Sequence, residues 1–149
     1  MQKQIEAVKE FHTAFAIGHK EQPHADLGES KNLLRFNLMK EENEEYLEAA
    51  NNNDIVEIAD ALGDMMYILC GTIIEHGLQN HIEAVFDEIQ RSNMSKLGED
   101  GKPIYREDGK VMKGPNYFKP DFSTRKIIIN KLPNNKIEIL ISKKFLIYK

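Results

Sequence analysis

Residues 34–64 read LRFNLMKEENEEYLEAANNNDIVEIADALGD, and the fold turns on whether the acidic positions of this stretch share a face with the apolar ones. At about 100° per residue, Leu34, Leu38, Glu41, Glu45 and Glu48 fall within one arc of a helix, with Glu42 at its border. The carboxylates therefore continue the face that Leu34 and Leu38 are expected to send into the core. Asn51-Asn52-Asn53 breaks this helix, and Asp54 can cap the next, with Glu57 three residues on as in a capping box. On that next helix Glu57, Asp60, Ala61, Asp64, Ile68 and Gly71 share one face. A turn this short makes the two helices antiparallel neighbours, so the acidic faces can meet.

Outward from this pair, Ile5, Val8, His12 and Phe15 recur at spacings of three and four and predict an amphipathic helix over 2–17, ending at Gly18. His19 to Glu29, with Pro23 and Gly28, has no period and reads as a loop. The second helix is expected from about Ser30 to Ala50 and the third from Asp54 to about His76, with Gly77 as its C′ residue. Asn80 and Glu83 repeat the capping signature before a fourth helix marked by Ile82, Val85, Phe86 and Ile89. Four helices with short connections predict an all-α bundle. Around the turn Glu107-Asp108-Gly109, residues 102–114 read as a small hairpin or an ordered loop. Ile127-Ile128-Ile129 and Ile137 to Ile141, on either side of Pro133-Asn134-Asn135, read as two strands. The expected division is an all-α domain over 1–122 and a basic, strand-like tail over 123–149.

With 149 residues, 41% hydrophobic and 30% charged, the composition is that of one ordinary globular domain and excludes a collagenous or wholly disordered chain. The net charge of −4 conceals an asymmetry: residues 1–123 carry 13 basic against 23 acidic side chains, and residues 124–149 carry 7 against 1. An acidic body repels a nucleic-acid backbone, which argues against a polymeric DNA or RNA partner. No apolar run approaches the ~20 residues that span a bilayer, and the first residues lack a signal peptide's apolar segment. The expectation is a cytoplasmic protein without a membrane partner. Cys70, within an apolar run, has no partner for an intrachain disulfide and reads as a small buried hydrophobe.

A Glu-rich helix alone is usually a wet face, and Glu44 and Glu48 fit that reading. Two acidic faces brought together by a short turn point elsewhere. Carboxylates on inward faces repel and pay desolvation unless cations neutralise them, so Glu41, Glu42, Glu45, Glu57, Asp60 and Asp64 are candidate ligands of a divalent metal. Oxygen-only donors favour Mg²⁺ or Mn²⁺ over zinc. A ferritin-like di-iron centre would need Glu-x-x-His on both helices, and neither supplies it.

Glu41-Glu42-x-x-Glu45 followed by Glu57-x-x-Asp60 resembles the paired motif of the MazG-like all-α nucleoside triphosphate pyrophosphohydrolases. A second run is Arg91-Ser92-Asn93-Met94-Ser95-Lys96-Leu97-Gly98, then Gly101-Lys102-Pro103-Ile104-Tyr105-Arg106 and Lys113-Gly114-Pro115-Asn116-Tyr117-Phe118. It is similar to the C-terminal signature of the phosphoribosyl-ATP pyrophosphohydrolase-like branch. The likeness covers roughly residues 1–122. Leu62-Gly63-Asp64 also resembles MazG proteins proper, although Ala61 stands where they carry a glutamate, which leaves the second motif open between Asp60 and Asp64.

The resemblance implies Mg²⁺-dependent hydrolysis of a nucleoside triphosphate between the α and β phosphates, giving a monophosphate and pyrophosphate. It implies Glu42 or Glu45 as the group accepting a proton from the attacking water. Arg91, Asn93, Lys96 and Lys113 would hold the phosphates, with Tyr117, Phe11, His12 and Phe15 as weaker candidates to contact the substrate. Family members form helical dimers or tetramers, so a homo-oligomer is expected. Hydrolysis of phosphoribosyl-ATP is the alternative within the same chemistry. A non-catalytic helical module whose acidic surface binds a basic partner is the alternative outside it.

Overall fold

The computed structural model describes residues 1–123, in which the regular structure consists of α1 (Gln2–Ala14), α2 (Glu29–Asn51), α3 (Ile55–Glu75) and α4 (Ile82–Met94). The all-α, four-helix architecture expected above is the one found. The two strands expected beyond Ser123 lie outside the described residues. Among the described residues no helix is long and apolar enough to cross a membrane.

Helix α3 is the axis of the molecule, with α2 and α1 both packed on it. Its composition explains the position, because a helix that is apolar on nearly every side must be covered from more than one direction. Ile5 and Val8 of α1 meet Cys70, Ile73 and Ile74 of α3 in the core, and Leu78 and Ile82 pack against them at the start of α4. Cys70 is buried there as expected, and burial pushes its thiol up.

The turn between α2 and α3 is economical. Asn53 takes a left-handed φ of 55° and donates to the Ala50 carbonyl, and the Asp54 amide reaches back to Ala49 at 3.0 Å. The Asp54 carboxylate then accepts from the amides of Val56 and Glu57 at 3.0 and 3.2 Å, so one residue closes α2 and opens α3. The expected capping box is only half formed, since the Asp54 amide is already committed to Ala49. Glu57 is thereby left free.

Helix α1 stops at Ala14, earlier than the periodicity suggests: Ala16 takes φ 54° and the Ile17 amide caps the His12 carbonyl. Phe15, expected on the apolar face, is consequently at the helix end and 67% exposed. Gly77 does end α3, at φ 68°, with Leu78 donating back to Ile73. A Cβ at Gly77 would lie 2.1 Å from the Gln22 carbonyl oxygen, because the 18–28 loop straps across this end through Lys20 to Ile74 and His24 to His76. The cap of α4 is His81 rather than Asn80.

The segment after α4 is a hairpin of a single bridge, Tyr105 to Val111, turned at Gly109 (φ 83°). It returns to α4 as a clasp. Ser92 Oγ donates to the Phe118 carbonyl at 2.7 Å, the Phe118 amide donates to Ser95 Oγ, and the Asp121 amide donates to Glu88 Oε1 at 2.8 Å. Gly114 donates to the Lys96 carbonyl and passes so close to Leu97 that a Cβ would fall 2.1 Å from its carbonyl oxygen.

Candidate active site

The acidic faces of α2 and α3 do meet, and Glu42 lies at their centre. It is half-buried, and its Oε2 is out of contact with solvent and has no hydrogen-bond partner. Desolvation, followed by the charges of Glu45, Asp64, Glu41 and Asp60, pushes its pKa up. Asp64 acts on it more strongly than Asp60, so both candidates for the second motif face the same centre. Glu42 thus lies within electrostatic reach of four of the other five proposed ligands, drawn from both helices.

The sixth, Glu57, lies toward the turn, where it lines a cavity of about 380 Å³ with Glu45, Glu48, Asn52 and Asp54. Glu45 belongs to both places and joins them into one acidic groove. The expectation that all these carboxylates are desolvated needs correction: Glu41, Glu45, Glu57, Asp60 and Asp64 are exposed, and only Glu42 carries a buried, unpaired oxygen. The reason is that α2 is covered on fewer sides than its pattern suggests. Ala49 is its only buried residue, and Leu34, expected in the core, is 52% exposed.

Among the described residues no three His, Cys, Asp or Glu side chains converge closely enough, as placed, to hold a metal ion. The donor set nevertheless fits a hard divalent cation. It is made of oxygens alone, it is anionic, and it includes one buried acceptor that no protein group satisfies.

The proposed phosphate-binding residues gather at the other end of the chain, on α4 and the clasp. Arg91 is engaged: its Nε and terminal nitrogen donate to both oxygens of buried Glu88 at 2.8 and 2.7 Å, and its guanidinium stacks on Phe118 at 3.9 Å. Lys96 Nζ donates to Asn93 Oδ1 at 2.7 Å, and Lys113 Nζ lies 4.5 Å from the Tyr117 ring centre. Gly114, bonded to Lys96, ties these two pairs together, so Asn93, Lys96, Lys113 and Tyr117 form one cationic patch.

Sequence reading missed a third cluster. Glu75, 2% exposed in the last turn of α3, faces Lys31 Nζ at 3.2 Å and Arg35 at 3.9 Å. Arg35 also donates to Thr72 Oγ1 and to the Ile68 carbonyl, and burial pushes its pKa down against the opposing charge of Glu75. The only signal in the sequence was a charged residue at the end of the apolar run from Met65 to Ile74.

An all-α chain that pairs two acidic helix faces has the architecture of the helical pyrophosphohydrolases. Residues 8–93 match the family described as phosphoribosyl-ATP pyrophosphohydrolase, and the chain belongs to that family. It is 27% identical over 113 residues to an uncharacterized protein of Acanthamoeba polyphaga mimivirus, a match covering 74% of this chain and 41% of that protein. The chain therefore spans about two fifths of that relative's length. A crystal structure of a proposed NTP pyrophosphohydrolase from Exiguobacterium sp. 255-15 shares 25% identity over 83% of this chain and 90% of the other, with a TM-score of 0.44.

Proposed function

We propose that the protein is a nucleoside triphosphate pyrophosphohydrolase, cleaving between the α and β phosphates to give a monophosphate and pyrophosphate in the upkeep of the nucleotide pool. The observation that carries this reading is Glu42 Oε2, a buried acceptor without a partner amid four further carboxylates. Unfilled, such an arrangement is costly; a cation-bound polyphosphate removes the cost. Glu41, Glu42, Glu45, Asp60 and Asp64, with Glu57 at the mouth, are the residues that would hold Mg²⁺ or Mn²⁺, which when bound supplies neutralisation of the polyphosphate and a more acidic water.

The chain's own groups account for the rest. Glu42 binds a proton more readily than an ordinary glutamate, which suits it to take the proton of the attacking water, and exposed Glu45 one turn away suits the same task less well. The patch of Asn93, Lys96 and Lys113 offers donors for phosphate oxygens, while Arg91, already paired with Glu88, contributes by holding the clasp. A homo-oligomer fits the stripe Ile55, Ala59, Leu62, Met66 and Leu69, whose alternating steps of four and three are the period of helix pairing and whose large members are exposed.

The family match favours phosphoribosyl-ATP as a second substrate reading. Pyrophosphate release with and without Mg²⁺, over a panel of NTPs, dNTPs and phosphoribosyl-ATP, tests both. The expected result is Mg²⁺-dependent release that Glu42→Gln and Asp60→Asn abolish in folded protein. Silence across the panel, or release retained in both variants, overturns the reading and leaves the interaction module.

A further inference from the structure

Leu33, Phe36, Lys40, Glu44 and Leu47 follow one another at steps of three and four, so they share one face of α2. That face is turned away from Ala49, the helix's only buried residue, and from α3, the helix on which α2 packs. Leu33, Phe36 and Leu47 are accordingly 55%, 61% and 58% exposed. Between them Lys40 and Glu44 form an exposed ion pair at 3.4 Å, which contributes little. Large apolar side chains in a row on one helix face mark a surface that something covers. This face is distinct from the stripe of α3 offered above to a second copy.

The charge around it singles out the occupant. Residues 41–75 hold ten acidic side chains and no lysine or arginine, while the rest of 1–123 is balanced, 13 basic against 13 acidic. The whole excess negative charge of the body therefore lies on the second half of α2, the turn and α3. Glu41, Glu44 and Glu48, all exposed, bring it to the apolar face and its edges. A second copy is poorly matched there. Lys31 and Arg35 are committed to Glu75, so a facing α2 brings Lys40 alone against the glutamates of the other. Residues 124–149 carry the opposite balance, 7 basic against 1 acidic, and 12 of these 26 residues are Ile, Leu, Phe or Tyr. A segment both apolar and cationic is complementary to an apolar surface with acidic neighbours. Its length is no obstacle. The clasp brings Asp121 back to Glu88 of α4, and the 26 residues from Thr124 can span about 85 Å when extended, against about 35 Å for the 23 residues of α2.

We propose that residues 124–149 dock on the outer face of α2 in their own chain, laying apolar side chains over Leu33, Phe36 and Leu47 and setting lysines against Glu41, Glu44 and Glu48. Apolar contact holds the segment, and the charges fix where it lies. The inference does not depend on the hydrolytic reading, which concerns the opposite side of α2 around Glu42.

Zero-length carbodiimide crosslinking of the full chain, mixed from equal parts of ¹⁵N-labelled and unlabelled protein, reads the docking directly. Lysines of 124–149 are expected to join Glu41, Glu44 and Glu48, in peptide pairs of one isotope only. Hydrogen exchange supplies a second readout. Amides of 127–129 and 137–141 are expected to exchange at least about tenfold more slowly than an unstructured chain, and Phe36→Glu or Leu47→Glu to return them to that rate with α1 and α3 still protected. Both side chains are more than half exposed, so the helices tolerate either change. Crosslinks spread over the acidic residues of the whole chain, or amides of 127–129 and 137–141 exchanging at the unstructured rate, overturn the proposal. Protection unchanged in both folded variants overturns it too, and peptide pairs of mixed isotope assign the face to a second copy instead.

Discussion

At the scale of single residues, the proposed chemistry rests on Glu42. Replacing it by Gln keeps its shape and removes a charge that Glu45, Asp64, Glu41 and Asp60 all oppose, so pyrophosphate release should fall at least about a hundredfold while the melting temperature stays level or rises. The pH dependence has a definite sign. A carboxyl raised in the folded state binds its proton more tightly there than in the unfolded chain. Its contribution to stability is full below the ordinary glutamate range and declines as pH rises through the raised value. Metal-free protein should therefore lose melting temperature on going from about pH 4 upward through that window, and Glu42→Gln should shrink the decline. The sequence placed Glu42 only at the border of its arc, and nothing in the letters distinguished it from Glu41 or Glu45. Burial of one oxygen does so.

At the scale of elements, the ends of the helices carry the organisation. Gly77→Ala places a side chain on a left-handed residue and against the Gln22 carbonyl, so it should destabilise the chain by about 2 kcal/mol or more, read as a lower denaturant midpoint. Asp54→Ala removes the acceptor of two amides and should cost about 1 kcal/mol by the same measurement. Ser92→Ala removes the donor to Phe118 and should speed amide exchange at Tyr117 and Phe118 while α4 remains protected. The third helix end was legible because Gly77 announces it. The first was not, because Ala16 occupies the left-handed position with no residue-type signal, and the chain turns there to let the 18–28 loop cross α3.

At the scale of the whole molecule, the burial is uneven. The core gathers where α1 and the start of α4 meet the second half of α3, whereas Ile55 and Val56, at the other end of α3, are 73% and 70% exposed. This exposed stripe is the surface that the proposed homo-oligomer would bury, a second copy aligning the same stripe on itself. On that proposal the chain should sediment as an oligomer and Leu62→Glu as a smaller species, with helical content retained.

The number and order of the helices and the meeting of the acidic faces were legible in the sequence, because helical period and a three-asparagine turn are local properties of neighbouring residues. Which carboxylate loses water, the earlier end of α1, the half-open α2 and the pairing of Glu75 with Lys31 and Arg35 were decided by tertiary structure. Desolvation and long-range ion pairing depend on what lies opposite a side chain in space, and forty-four residues of sequence separate Lys31 from the carboxylate it faces.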